Sequence, residues 1–558
     1  MNRVYKMVRM TWLAAVTLAA AVAGFAADVG VTNNLPLEKN LAISSITVPG
    51  SGEIGGQASR PNFDVRHYGA VGNGTNLDTQ AIQEAIDAAA RDGGGSVLLP
   101  PGSYLCGSLT LKSHVTLWLE KGATLLGSPH RADYRKLDFY ALLLAEGQED
   151  IGIGGEGVVD GQGRLLVADT RGMMPQRNPP YADESQRPFI INFRSCRNVA
   201  VRGITLKESA CWVQDYHDCD NLIVENVTVR TMSAITNDGL DIDGCSQVIV
   251  RGCDIDSEDD GICLKSSTRL CDNVLVENCR VRSSCYAFKL GTASVKGFKN
   301  ITCRNVDIYD TYRSGIALEV VDGGELENVN ISHIQITNTA NAIFIRLGHR
   351  NAHGPVGVLR NVTISDVKAE ITSRSLNEMN KFPSDWLQKS QADKENVFIP
   401  ATITGIPDHP VSGITLRNVS IIVDGIGGKS KRGKTWPDFL AAVPEVENKY
   451  PSCAMFGSLP AWGFYCRHVN GIEFTNVTLQ VKGQDFRPAL ACDDVENIAL
   501  EGCHVLSAGS EPVIVLKDVN GAAIHDSPAP QNTVRFVETI GGNKKNQSSI
   551  IYDKTRPL

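Results

Sequence analysis

The chain has 558 residues, of which 42 % are apolar and 6 % aromatic, and 54 basic against 62 acidic side chains leave a net charge of −8. That apolar share excludes a disordered chain, and 52 glycines without a G-X-Y period exclude collagen. The acidic balance argues against nucleic acid as partner, because phosphates need a basic surface, but an anionic sugar polymer needs only a few local cations.

Residues 1–26 read as a signal peptide. Arg3, Lys6 and Arg9 precede an apolar run from Thr11 to Phe25 that is too short to span a bilayer, and small residues at Gly24 and Ala26 suit cleavage after Ala26. The expectation is a secreted or periplasmic protein with no membrane partner. Residues 27–60 form an N-terminal extension. Next, Asn76 or Asp78 can cap a short helix in which Ile82, Ala85, Ile86 and Ala89 recur at helical spacing, and Gly93-Gly94-Gly95 stops it. It reads as a cap over the end of a solenoid.

Residues 61–530 carry the repeat that defines the solenoid. Units begin at Cys196, Cys219, Cys245, Cys271, Phe298, Leu326, Leu359 and Leu416, in steps of 23, 26, 26, 27, 28, 33 and 57 residues. Each alternates apolar and polar positions, as a strand with one buried face does. Asn198, Asn221, Asn273, Asn300, Asn328, Asn361 and Asn418 share one position, with Gln247 once. Asparagine accepts a left-handed turn and can bond to the copy above it. Val201, Val224, Val250, Val276, Cys303, Ile331 and Ile364 follow in one apolar column. One unit cannot bury its apolar face, but units stacked about 4.8 Å apart can, which predicts an all-β parallel β-helix. The 15 cysteines contain no C-x-x-C pair, so a zinc site is not expected, and stacked Cys196, Cys219, Cys245 and Cys271 read as small core residues. Segments 370–411 and 425–460 break the period and read as loop insertions, and 531–558 as a C-terminal tail.

A second strand of each coil aligns as well. Leu240, Ile262, Phe288, Ile316 and Ile343 form one inward column, and Ile242, Leu264, Leu290, Leu318 and Ile345 another. Alternation then turns Asp241, Cys263, Lys289, Ala317 and Phe344 outward, and likewise Asp243, Lys265, Gly291, Glu319 and Arg346. One external face collects Asp238, Asp241, Asp243, Asp259, Asp260 and Glu319 beside Lys265, Lys289 and Arg346. Carboxylates on adjacent coils oppose each other's ionisation, so one keeps its proton near neutral pH. A protonated acid beside an ionised one is what glycosidic bond cleavage needs. A solvated acidic face or a calcium site is the plain alternative.

These residues resemble glycoside hydrolase family 28, the polygalacturonase family. Thr236-Asn237-Asp238-Gly239-Leu240-Asp241 is similar to one of its signatures and Asp259-Asp260-Gly261-Ile262 to its paired-aspartate signature. Phe63 through Gly127, Ile403 through Pro410 and Phe456 through Phe464 extend the likeness, the last two to a bacterial subgroup. The resemblance implies a right-handed parallel β-helix and hydrolysis with inversion of a pectic polysaccharide or oligosaccharide. By it, Asp259 is the general acid, Asp238 and Asp260 deprotonate the water, and the chain works as a monomer without cofactor or metal. The acids of an inverting pair normally stand about 6.5–9.5 Å apart. The chain departs from the family twice. The family's Gly-His-Gly falls at Cys285-Tyr286-Ala287, and its Arg-Ile-Lys at Ala317-Leu318-Glu319, so both cations that would hold a galacturonate carboxylate are gone. Lys289, Lys265 and Arg346 are the expected replacements in substrate binding, with Tyr286, Asp241 and Asp243 around them. The other expectation is an uncharged sugar with Glu319 binding its hydroxyls. A calcium-dependent pectate lyase, using Lys265 or Lys289 as base, and a non-catalytic glycan-binding β-helix are the rival readings. Trp212, Trp386, Trp436 and Trp462 could stack on sugars, and His409 or His468 could stand beside the substrate. The insertions could close one end of the groove and make the action terminal.

Overall fold

The computed structural model describes residues 62–170, 184–372, 399–428, 433–507, 512–541 and 550–552. The expected signal peptide, the N-terminal extension and Trp386 lie outside the described residues.

Strands recur in threes along the chain, and each pairs in parallel with its counterpart one coil away. Gln214–His217, Asp220–Glu225 and Thr228–Thr231 make one coil, and Leu240–Asp243, Ser246–Arg251 and Asp254–Ser257 the next. In later coils the second and third strands run together, as in Phe298–Tyr309 and Glu325–Thr339. Parallel strands joined by crossovers in one sheet take the right hand, so the fold is a right-handed parallel β-helix.

The core runs through every coil. The valine column is observed in register, Val201 on Val224, Val250, Val276, Cys303, Ile331 and Ile364 in turn. All 15 cysteines are free thiols and all but Cys503 are buried; the stacked Cys196, Cys219, Cys245 and Cys271 lie in the core as expected. The helix Thr79–Arg91 buries Ile82, Ala85, Ile86 and Ala89 against the first coils. Asp78 stands at its N-cap, but its carboxylate accepts from the amides of Val71 (2.7 Å) and Gly72 (3.0 Å) instead of capping.

The asparagines do what their position requires. Asn198, Asn221, Gln247, Asn273, Asn300, Asn328 and Asn361 all have φ between 54° and 58°. Side chains link neighbouring coils, Asn221 Nδ2 to Asn198 Oδ1 at 3.0 Å and Asn328 Nδ2 to Asn300 Oδ1 at 3.2 Å. The unit set at Leu416 is misaligned by one strand. Leu416 pairs with Ile364, not Leu359, because Val411–Val423 enters the sheet earlier and Gly413 (φ 62°) takes the turn beside Asn361. Asn418 belongs to a second left-handed column with Asn278, Asn305, His333, Asp366 and Asn476, one bend further along each coil. Two boundaries also differ. Ala401–Thr404 is already a sheet strand, and Val537–Ile540 and Ile550–Tyr552 pair with Ile514–His525, so stacking continues past residue 530.

Candidate active site

The first outward column forms as the alternation predicts, whereas the second holds only for Asp243 on Lys265 and Glu319 on Arg346, because the register shifts between Leu264 and Ser266. Asp215, Asp241, Cys263, Lys289, Ala317 and Phe344 stack in register, one per coil. Ahead of these strands, two Asp-Gly turns lie on each other. Gly239 N donates to Asp260 O (2.8 Å) and Leu240 N to Gly261 O (3.0 Å); on the next coil Gly261 N donates to Tyr286 O (2.8 Å). Asp238, Asp260 and Tyr286 therefore share one column, and Asp259, Cys285 and Arg313 the position before it. The glycines permit this approach, since a Cβ on Gly239 would lie 2.6 Å from Ile255 Cγ2 and one on Gly261 2.5 Å from Val281 Cγ1.

Both turns are tied from beneath. Asn237 is wholly buried; its Oδ1 accepts from the amides of Ser233 (3.1 Å) and Ala234 (3.0 Å), and its Nδ2 donates to Ser209 O (2.9 Å) and Cys211 O (2.6 Å). Ser257 Oγ donates to Asp259 O (2.9 Å), and Ser283 Oγ does so at 2.6 Å while accepting from Cys285 N (2.8 Å).

The carboxylates are thereby distinguished electrically. Burial, then the charges of Asp241 and Asp259, hold Asp238 well above the usual carboxylate range despite Lys265. Burial and the neighbouring Asp260 also raise Asp259, against Arg313 and Lys289. Burial works against Asp260 as well, but the Lys289 and Lys265 ammoniums overcome it and bring Asp260 below its ordinary value. Lys289 Nζ lies 2.8 Å from Asp260 Oδ2 and 3.8 Å from Glu319 Oε2. Lys265 bonds to Asp241 and lies 3.5 Å from Asp238 Oδ2, with its ammonium 4.5 Å from the centre of the Trp212 ring. Burial pushes Asp241 up to about 6 and Glu319 up to about 7, each against its lysine. Asp259, Asp260 and Cys285 bring one donor atom each within 4.8 Å of one another. That spacing would admit a cation, but Lys289 already sits on Asp260. It is also closer than the separation expected of an inverting pair, because Asp259 and Asp260 are consecutive in one turn; the carboxyl on a separate coil is Asp238.

The structure brings together Asp238, Asp241, Asp259, Asp260, Lys265, Tyr286, Lys289 and Glu319. Arg346 and Asp243 are engaged elsewhere. Arg346 is 1 % exposed and donates to the carbonyls of Gly405 (2.8 Å), Glu445 (2.9 Å) and Val446 (3.3 Å). The second insertion packs on the outer face here, with Leu440, Val443, Phe456 and Leu459 against Tyr286, Ala317, Phe344 and Tyr465. Asp259 is partly exposed, and the outward face is covered from Tyr286 on, which the strand pattern alone did not show. Asp243 accepts from Ser267 N (2.7 Å) and Oγ (2.6 Å). His468 joins Asp494 (2.6 Å) to Glu445 (3.1 Å) and ties down the same insertion. Trp462 is a core residue, Trp436 packs within the insertion and His409 is exposed in a tight turn. Arg313 was missed by the reading above; its only signal is its place two coils after Asp259.

A model of the glycosyl hydrolases family 28 matches residues 95–387, just over half the chain. The chain belongs to this family. Family 28 membership makes it a glycosidase. It is 25 % identical over 384 residues to a probable polygalacturonase of Vitis vinifera, covering 63 % of this chain and 73 % of that one. It is 27 % identical over 249 residues to an exo-poly-alpha-D-galacturonosidase of Dickeya chrysanthemi, covering 36 % and 41 %. Among solved structures, the family 28 exopolygalacturonase of Yersinia enterocolitica superposes with a TM-score of 0.58 at 19 % identity, covering 79 % of this chain and 78 % of that one, and shares its fold. Among the described residues no helix is long and apolar enough to cross a membrane.

Proposed function

We propose that the chain is an exported hydrolase of a galacturonate-containing pectic polysaccharide or oligosaccharide, acting by inversion. Asp259 is the general acid. Asp260 takes the proton of a water that Asp238 helps to orient. The observation that carries this reading is the division of charge within one turn, where Lys289, 2.8 Å from Asp260, lowers that carboxyl while burial and Asp260 raise Asp259, so that Asp259 holds its proton to higher pH than its neighbour. Family 28 membership supports the reaction class, and the relatives' activities on galacturonan support the substrate. The apolar run at residues 11–25 supports export. The covering of the outer face beyond Tyr286 supports action at a chain end, where the last sugar meets the inserted segment.

The lyase reading needs a neutral lysine as base. Burial favours the neutral form of Lys265 and Lys289, yet Asp241 and Asp260 outweigh it and hold both ammonium protons well above the ordinary range. The test is a product assay on defined pectic oligosaccharides, with and without chelator. Terminal release of a saturated sugar of inverted anomeric configuration is expected. Asp259→Asn should lose turnover by about a hundredfold or more while still binding. An unsaturated product, or chelator-sensitive activity, would replace this reading with the lyase; an Asp259→Asn protein as active as wild type would remove the acid assignment.

A further inference from the structure

Each cation expected to receive a substrate carboxylate is already engaged. Lys265 lies between Asp241 and Asp238, Lys289 between Asp260 and Glu319, and Arg346 is spent on three backbone carbonyls. Lys289 is 2 % exposed, and a substrate carboxylate there would share its single charge with two buried carboxylates, Asp260 at 2.8 Å and Glu319 at 3.8 Å.

Arg313 is placed differently. It precedes the strand Ser314–Val320, and its backbone is held from both sides, its N–H by Cys285 O (2.9 Å) and its carbonyl by Asn341 N (3.0 Å). Its side chain is half-buried, with the guanidinium carbon 5.4 Å from the centre of the Tyr286 ring. The same ring carries Lys289 Nζ at 4.9 Å. Among the described residues no carboxylate or carbonyl takes a hydrogen bond from the Arg313 guanidinium. Its charge nevertheless reaches the acids, since it lowers Asp259, Asp260 and Glu319. The cation therefore shares a column with the proposed general acid, is braced by the Tyr286 ring and gives its planar donors to no carboxylate or carbonyl among the described residues.

From this geometry we infer that Arg313, stacked on Tyr286, is the residue that binds the carboxylate of the galacturonate unit in the active site. A guanidinium fork matches a carboxylate bidentately, whereas a lysine offers a point charge. The arrangement also joins the two departures from the family pattern. Tyr286 stands at the family's histidine position and supplies the ring on which Arg313 rests. Ala317 and Glu319 stand at the family's cation positions, and Glu319 is left to hold Lys289. This inference rests on the proposed pectic substrate.

The test compares Arg313→Gln and Arg313→Lys with wild type on a pectic oligosaccharide and on the same oligosaccharide with its carboxyls reduced to primary alcohols. Arg313→Gln should raise KM for the uronate about 10- to 100-fold, with kcat within about threefold, and leave KM for the reduced sugar unchanged. Arg313→Lys should recover part of the loss, showing that the fold is intact. Equal losses on both sugars, or an unchanged KM on the uronate, overturn the inference. Calorimetric titration of the uronate into Asp259→Asn and into the double variant Asp259→Asn with Arg313→Gln separates the two levels of the reading. Binding that depends on Arg313 without any wild-type turnover sinks the proposed hydrolysis and supports Arg313. Turnover with Arg313-independent binding does the reverse, and absence of binding sinks both.

Discussion

Replacing Lys289 with methionine keeps the length of the side chain and removes one charge from between two buried acids. At an effective dielectric of about 20, its attraction amounts to roughly 6 kcal/mol with Asp260 at 2.8 Å and roughly 4 kcal/mol with Glu319 at 3.8 Å. Burial cost consumes much of this, and removing one partner of such a cluster costs about 3–5 kcal/mol. The pH dependence carries the sharper signature. In the wild type Asp260 lies below its unfolded value, so it contributes stability above about pH 4 that is lost as pH falls through its folded value. In Lys289→Met both buried carboxyls lose their nearest cation, with only the more distant Lys265 and Arg313 left to act on them, and their folded values rise. Stability is then lost as pH rises through those values. Chemical denaturation should show a large penalty at pH 8 and a smaller one at pH 5, and the acid limb of kcat/KM should move up by about one unit or more. A penalty of equal size at both pH values, with an unmoved acid limb, would refute the claim that Lys289 sets the charge of Asp260.

Glu319→Gln removes a carboxyl raised to about 7 by burial against Lys289. In the wild type this raised value takes stability away as pH climbs from about 4.5 to 7, so the variant should gain relative to wild type across that interval in denaturation curves; a constant difference would show that Glu319 does not titrate there. Arg346→Ala frees the carbonyls of Gly405, Glu445 and Val446, and should make residues 433–461 several-fold more susceptible to limited proteolysis while the β-helix stays folded. If the inserted segment closes the end of the groove, the same variant should also release longer products.

The repeat made the β-helix legible because stacking obeys a local rule. A strand with one apolar face and a left-handed Asn at each bend can satisfy itself only on another copy, so the columns at Asn198 and Val201 were readable from spacing. The rule fails where an insertion hides the phase. Leu416 and Leu359 share a motif, yet Leu416 stacks on Ile364, because two left-handed columns with similar sequence run along the helix. The outward direction of Asp241, Lys289 and Phe344 was equally legible from alternation. Whether an outward residue meets water was not, since Phe344 and Arg346 lie beneath a segment roughly 100 residues further along the chain.

By itself the sequence determined the architecture, the family and the grouping of Asp238, Asp259 and Asp260 on adjacent coils, because each depends on residue order within one or two coils. The electrical identity of those aspartates was decided only by the tertiary structure. Asp259 and Asp260 are neighbours with the same side chain, and what separates them is that Lys289, a coil away, touches one and not the other. The tertiary structure likewise decided which cations were engaged, Lys265, Lys289 and Arg346 each having partners and Arg313 standing in Asp259's column without one among the described residues, because pairing between charges depends on distances across coils that spacing along the chain does not encode.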